Sequence, residues 1–207
     1  MALVKYNNNS ISAVTSASSI PSGALTHIKT LTASSSGTLS FVHGSNGVVL
    51  DSTYPIYKFE FINIHPATDT ANFQFNMSTD SGSNYNVIKT TTQFRAYHGE
   101  NDADPTLRYE SAHDLAQSTA FQTISNNLGN GNDENISGFL QLFNPSSTTF
   151  VKHFISKSAT NSADDYAYNF NLAGYGNTTS AINGVQFKMS SGNIDSGKIK
   201  LYGIKDS

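Results

Sequence analysis

Gly192, Gly197 and Lys198 stand in the spacing G-x-x-x-x-G-K, the way a phosphate-binding P-loop begins. Such a loop needs a buried strand before it, a helix after it, and Ser or Thr behind the lysine to ligate Mg²⁺. Ile199 follows Lys198, so the metal-binding hydroxyl is missing. The remaining "IKLYGIKDS" is too short and too β-branched to make the helix whose N-terminus would hold phosphate. Val185, Phe187 and Met189 alternate ahead of the glycine, and Ile199 and Leu201 alternate behind it. The stretch reads as strand, turn and closing strand, without a nucleotide site.

Other residues invite chemistry less strongly. His27, His43, His65, His98, His113 and His153 are scattered singly, with no H-x-H, H-E-x-x-H or H-x₃-H pair to seat a metal. There is no cysteine, which excludes disulfides, thiolate zinc sites and thiol nucleophiles. No serine sits in G-x-S-x-G. Glu110 and Asp114, with His113 between them, are the least implausible acid–base group. "ENDADP" gathers Glu100, Asp102 and Asp104, and "GNGNDEN" gathers Asn132, Asp133 and Asn135. Calcium wants several oxygens on a bent backbone, yet neither run follows the D-x-[DN]-x-[DN]-G pattern, so both read as solvated acidic loops. Tyr166, Tyr168 and Tyr175, in "DDYAYNF" and "GYGN", could stack on the C–H faces of sugars, although tryptophan, the usual sugar platform, is absent. No catalytic residue, metal site or cofactor is assigned.

Composition fixes the kind of scaffold that must position these groups. Only 13% of the 207 residues are charged, about half of the ordinary ~25%. Ser, Thr, Asn and Gly take their place, and the strong helix formers Glu, Lys and Arg are scarce. Uncharged polar residues suit the wet face of antiparallel sheets. A net charge of −3, spread along the chain, gives no basic stripe for nucleic acid. No apolar run approaches the ~18 residues of a membrane span, and the first residues lack a signal peptide's apolar segment.

Along the chain, residues 1–23 are rich in Asn and Ser and end in Pro21-Ser22-Gly23, which reads as an extended arm. Residues 24–207 read as one β-sandwich domain of roughly eight to ten strands, of jelly-roll type. The strongest strand is "YPIYKFEFINIHP", where Tyr57, Phe59 and Phe61 alternate with Lys58, Glu60 and Ile62. "ANFQFNM" repeats the device with Phe73, Phe75 and Met77, and the two together suggest an antiparallel pair. "STDSGSNY" fits a local hairpin turn in which Asp80 accepts turn N–H groups, Gly82 takes a positive φ and Tyr85 starts the returning strand. "ESAHDLAQSTAF" has the pattern of two or three helical turns.

Three of these stretches together resemble one family, the small surface and appendage proteins of tailed-bacteriophage virions, common in marine phages. They are the opening "MALVKYNNNSISAVTSA…PSG", then "YKFEFINIHPATDTANFQFNMSTDSGSNY", and last "FNPSSTTFVKHFISK…GYGNTTSAINGVQFKMSSGNIDSGKIKLYGI". The resemblance covers most of the chain except about 95–134. It implies a β-sandwich and a structural, non-enzymatic role in the virion as a decoration, knob or tail-fibre-type appendage. No coiled coil or repetitive shaft accompanies the domain, so a compact knob or decoration is expected over a long fibre. The arm would attach to other virion proteins, capsid or tail, through Leu3, Val4, Tyr6, Ile11 and Val14. A homo-oligomer is expected, a trimer by analogy. The alternative is a carbohydrate-binding module that recognises host-surface glycans through Tyr166, Tyr168 and Tyr175.

Overall fold

Alternating large rings need a dry layer to point into, and here two sheets supply it from opposite sides. The structure is a computed structural model and describes residues 24–206. The expected arm, with Leu3, Val4, Tyr6, Ile11 and Val14, lies outside the described residues. Among the described residues there are twelve strands, all paired antiparallel, and no helix. They are β1 (Leu25–Thr32), β2 (Leu39–Val42), β3 (Ile56–Pro66), β4 (Ala71–Ser78), β5 (Lys89–Gly99), β6 (Thr106–Tyr109), β7 (Gln122–Leu128), β8 (Ile136–Phe143), β9 (Lys152–Asn161), β10 (Tyr166–Gly176), β11 (Gly184–Met189) and β12 (Ile194–Ile204). An eight-stranded sheet runs β1-β12-β3-β8-β9-β10-β5-β6, and a four-stranded sheet runs β2-β11-β4-β7. The all-β class expected from composition and the β-sandwich expected from the strand pattern are what is found, with twelve strands among the described residues where roughly eight to ten were expected.

The core is built on phenylalanine. Tyr57, Phe59 and Phe61 of β3 face Phe73, Phe75 and Met77 of β4, and all six are buried. Phe187 of β11 is the hub: its ring meets those of Phe41, Phe59, Phe61, Phe73 and Phe75 at centroid distances of 5.3–6.3 Å. Each such ring, fully buried, contributes roughly 1.5–3 kcal/mol from apolar area alone.

Three expectations need correcting. β3 and β4 do not pair with each other; β3 pairs with β12 and β8, and β4 with β11 and β7. Their stripes meet face to face across the sandwich, an arrangement that produces the same period-2 signal as edge-to-edge pairing. For the same reason "STDSGSNY" is a crossover between sheets and not a hairpin, and Tyr85 precedes an extended stretch that reaches β5 only at Lys89. The turn itself is as expected: Asp80 Oδ1 accepts from the Asn84 N–H at 2.9 Å and from the Ser78 hydroxyl at 2.7 Å, and Gly82 has φ +82°. These donors pull the Asp80 pKa down to about 2, led by the Asn84 side chain. Since the folded value lies below the unfolded one, the turn's contribution is complete above pH ~4 and disappears as pH falls toward about 2. A difference in thermal midpoint between Asp80→Asn and the parent at pH 6 that vanishes near pH 2 is the expected result. Lastly, 110–121 is a run of turns packed on β5 through Thr91 N–H to Leu115 carbonyl and Lys89 N–H to Ser118 carbonyl, both 2.9 Å. Ser, Thr and Asp compete for backbone groups and here win over the helix.

Candidate functional site: the open face of the eight-stranded sheet

The small sheet covers part of one face of the large sheet, and on the opposite face the outward side chains of β8, β9, β10, β5 and β6 are exposed or half-buried among the described residues. On β8, β9, β10, β5 and β6 the outward residues form rows set by register. One row reads Phe139, Lys157, Asn171, Phe94 and Tyr109; the next reads Ser137, Ala159, Asn169, Ala96 and Leu107. A third is Gln141, Ile155, Ala173 and Thr92. Small side chains at Ala159, Ala167 and Ala173 sink the middle of the face. Three shallow hollows of about 330, 500 and 370 Å³ result, joined into one trough through their shared residues Phe139, Lys157, Ile155 and Ala173. Four apolar side chains stand well exposed on this face: Phe94 at 44%, Ile155 at 41%, Leu107 at 71% and Tyr109 at 52%. Beyond β8 the same face turns charged, with Lys58 and Glu60 of β3 in a 3.3 Å ion pair and Lys58 lying over the Phe139 ring.

Beneath the trough lies an interior unlike the phenylalanine core. The inward residues of β5 are Lys89, Thr91, Gln93 and Arg95, all buried. They bond to the small sheet and the turns before it: Thr91 Oγ1 donates to Gln122 Oε1 at 2.7 Å, and Gln93 Nε2 donates to the Ile124 carbonyl at 2.9 Å. Ser125 and Thr160 share a hydroxyl contact of 2.8 Å. Arg95 is held most firmly. Its Nε is 3.1 Å from Glu110 Oε1, its Nη1 donates to Asn126 Oδ1 at 2.8 Å, and its guanidinium lies 4.3 Å from the Tyr168 ring centre. Arg108 brings a second guanidinium to Glu110 Oε1 at 3.3 Å.

The sequence-selected tyrosines divide between these two environments. Tyr166 and Tyr168 stack on each other at 6.0 Å and both meet Tyr97 edge-on, on the inward side of β10. Tyr168 is 6% exposed, and Tyr166 donates to Asp104 at 3.0 Å, a bond that raises its pKa. Tyr175 belongs to the outward parity of β10 and packs beside His153, 6.0 Å away in the trough. The three therefore do not share one groove. Residue parity holds the reason, because an odd separation along a strand reverses the face.

The other candidates are also dispersed. Glu110 is 2% exposed between two arginines, while Asp114 accepts from the Tyr109 hydroxyl at 2.6 Å, so the pair does not form a matched acid and base. Desolvation holds His113 below its usual pKa. Asp102 is exposed beside His98, and Asp104 is taken up by Tyr166. In the second acidic loop, Glu134 accepts from the Gly131 N–H and His65 Nε2 lies 3.0 Å from the Gly131 carbonyl. Among the described residues no group of three or more His, Asp or Glu side chains is placed to hold a metal ion, and no helix is long and apolar enough to cross a membrane. Gly197 and Lys198 lie within β12, where Gly197 (φ +109°) forms a bulge against Asn63 and Lys198 is exposed. A Cβ at Gly197 would sit 2.4 Å from the Asn63 carbonyl oxygen, so this glycine serves a close backbone approach and not a phosphate.

Comparison with protein-family models, with curated proteins and with solved structures returns no match to this chain.

Proposed function

We propose that this protein is a non-enzymatic structural protein of a phage virion, a compact surface β-domain docked through its N-terminal residues and packed against neighbouring subunits. The observation that carries this reading is the half of the large sheet that no other described strand covers. Phe94, Ile155, Leu107 and Tyr109 share one face, and a contiguous exposed apolar patch of this kind marks a contact with another molecule. Strand order supports the same reading. Setting aside β5, β6, β9 and β10 leaves β1-β12-β3-β8 against β2-β11-β4-β7, the interleaving of a jelly roll, with the extra strands extending only the large sheet. The stretches that resemble virion surface proteins supply the central strands β3, β4, β11 and β12. Residues Leu3, Val4, Tyr6, Ile11 and Val14 are the attachment segment in this account.

A face used for assembly is sensitive to charge. Phe94→Asp with Leu107→Asp is expected to leave the far-ultraviolet dichroism unchanged and to dissociate the homo-oligomer, as read by sedimentation. An unchanged sedimentation coefficient in the double variant would count against the face as the subunit contact.

A second reading rests on the trough itself. Phe94, Phe139 and Tyr175 wall a shallow channel in which Asn169, Asn171 and Lys157 offer polar groups, a mixture that suits a glycan's apolar faces and hydroxyls. Glycan-array binding that Tyr175→Ala and Asn171→Ala abolish, by a protein that stays monomeric, would select the binding module instead.

A further inference from the structure

Lys89 and Asn76 are both 0% exposed. The lysine opens β5 in the large sheet and the asparagine belongs to β4 in the small one. Lys89 Nζ donates to Asn76 Oδ1 at 2.6 Å and to the Val87 carbonyl at 2.7 Å. No ion pair to Lys89 is found among the described residues, and burial alone brings its pKa down to about 7. A large fraction of the amine is thus uncharged at neutral pH, with a lone pair free to attack.

The amide opposite is held at all its polar positions. Oδ1 accepts a second hydrogen bond from the Met77 N–H at 2.8 Å, the donor that stays on the oxygen and polarises the carbonyl when Nζ turns from Oδ1 to Cγ. The amide nitrogen donates to the Tyr85 carbonyl at 2.6 Å and to the Thr119 carbonyl at 2.9 Å, which fixes the group that would leave. Lys152 provides the contrast. It stands in the same register row, across Gly176, yet among the described residues its Nζ meets only the carbonyls of Phe150 and Thr178 and no amide side chain.

We propose that Lys89 and Asn76 join in an intramolecular isopeptide bond that stitches the two sheets together. Nζ attacks Cγ, the Cγ–Nδ2 bond breaks, one amine proton passes to the departing nitrogen, and ammonia leaves. No oxidant, reductant or cofactor enters the balance, and the chain becomes lighter by one ammonia, about 17 Da. The link closes the crossover between β4 and β5, which contains the Asp80 turn, and restricts the unfolded chain as a disulfide would in a protein that has no cysteine.

The test is the mass of the full-length chain, unfolded before electrospray, beside Lys89→Arg. The parent is expected about 17 Da below its sequence mass and the variant at its own sequence mass. Cyclisation at Asn46-Gly47, Asn130-Gly131 or Asn183-Gly184 would remove the same mass. That deficit would persist in Lys89→Arg and would map to one linear peptide. Chymotryptic cleavage after Tyr85 separates positions 76 and 89 unless they are bonded, so a branched peptide carrying both is the expected product. This digest decides the question even if Lys89→Arg does not fold. A parent at full sequence mass, or a deficit confined to an Asn-Gly step, would overturn the proposal.

Discussion

Phe187→Ala is expected to lower the unfolding free energy by about 3–5 kcal/mol, the range for removing a buried aromatic ring from a packed core. The ring is 0% exposed and is the one against which both sheets close. It lies nearly parallel to Phe73, with an interplanar angle of 15° at 5.8 Å, and meets Phe41 and Phe61 edge-on. The void left by alanine would be lined on both sides by other phenylalanines, which cannot collapse into it without leaving their rotamers. Phe59→Ala and Phe61→Ala belong to the same range, since each is buried against this ring. Denaturant unfolding measures the loss. Phe150→Ala serves as control, because that ring is 69% exposed and its removal should change stability by no more than ~0.5 kcal/mol. Similar small losses for Phe187 and Phe150 would contradict the core described here.

Arg95→Met is expected to cost about 3 kcal/mol, at the lower end of what breaking a buried ion pair costs. The methionine would fill part of the space, but the Glu110 side chain would stay at 2% exposure without its nearest guanidinium. Its remaining partners would be Arg108, whose side chain is 56% exposed, and the Asn126 amide at 3.4 Å. The stack of Arg95 on Tyr168, Tyr97 and Phe170 would be lost as well. Removing both charges, as Arg95→Met with Glu110→Leu, should recover a large part of the loss, since no carboxylate is then stranded. Arg108→Ala alone should cost little, because its ion pair is half in water. A double variant no more stable than Arg95→Met would mean that the guanidinium acts through its packing and not through Glu110.

Residues whose signal is local were legible in the sequence. Tyr57, Phe59 and Phe61 announce a strand with one dry face, and that face is buried. Asp80 and Gly82 announce a turn whose hydrogen bonds close within five residues. Partner choice was not legible, because β3 and β4 present the same alternation whether they pair at an edge or face each other. On β5 hydropathy points the wrong way: Phe94 is exposed while Thr91, Gln93 and Arg95 are buried. Polar residues go inside there because the turns over 110–121 and strand β7 return a hydrogen bond to each, and those partners lie about 30 positions along the chain. The open face was hidden for the same reason, since it is assembled from five strands and no short motif encodes it. Tyr175 could have been set apart from Tyr166 by parity alone, nine residues on along one regular strand.

The mass of the full-length chain in solution, measured by light scattering beside a chain beginning at Ala24, tests the structural role most directly. A closed homo-oligomer, with a trimer favoured, that falls to monomers on removal of residues 1–23 while the sandwich stays folded is the predicted result. A full-length monomer of the same hydrodynamic behaviour as the shortened chain would contradict it, and a shortened chain that no longer folds would make residues 1–23 part of the core.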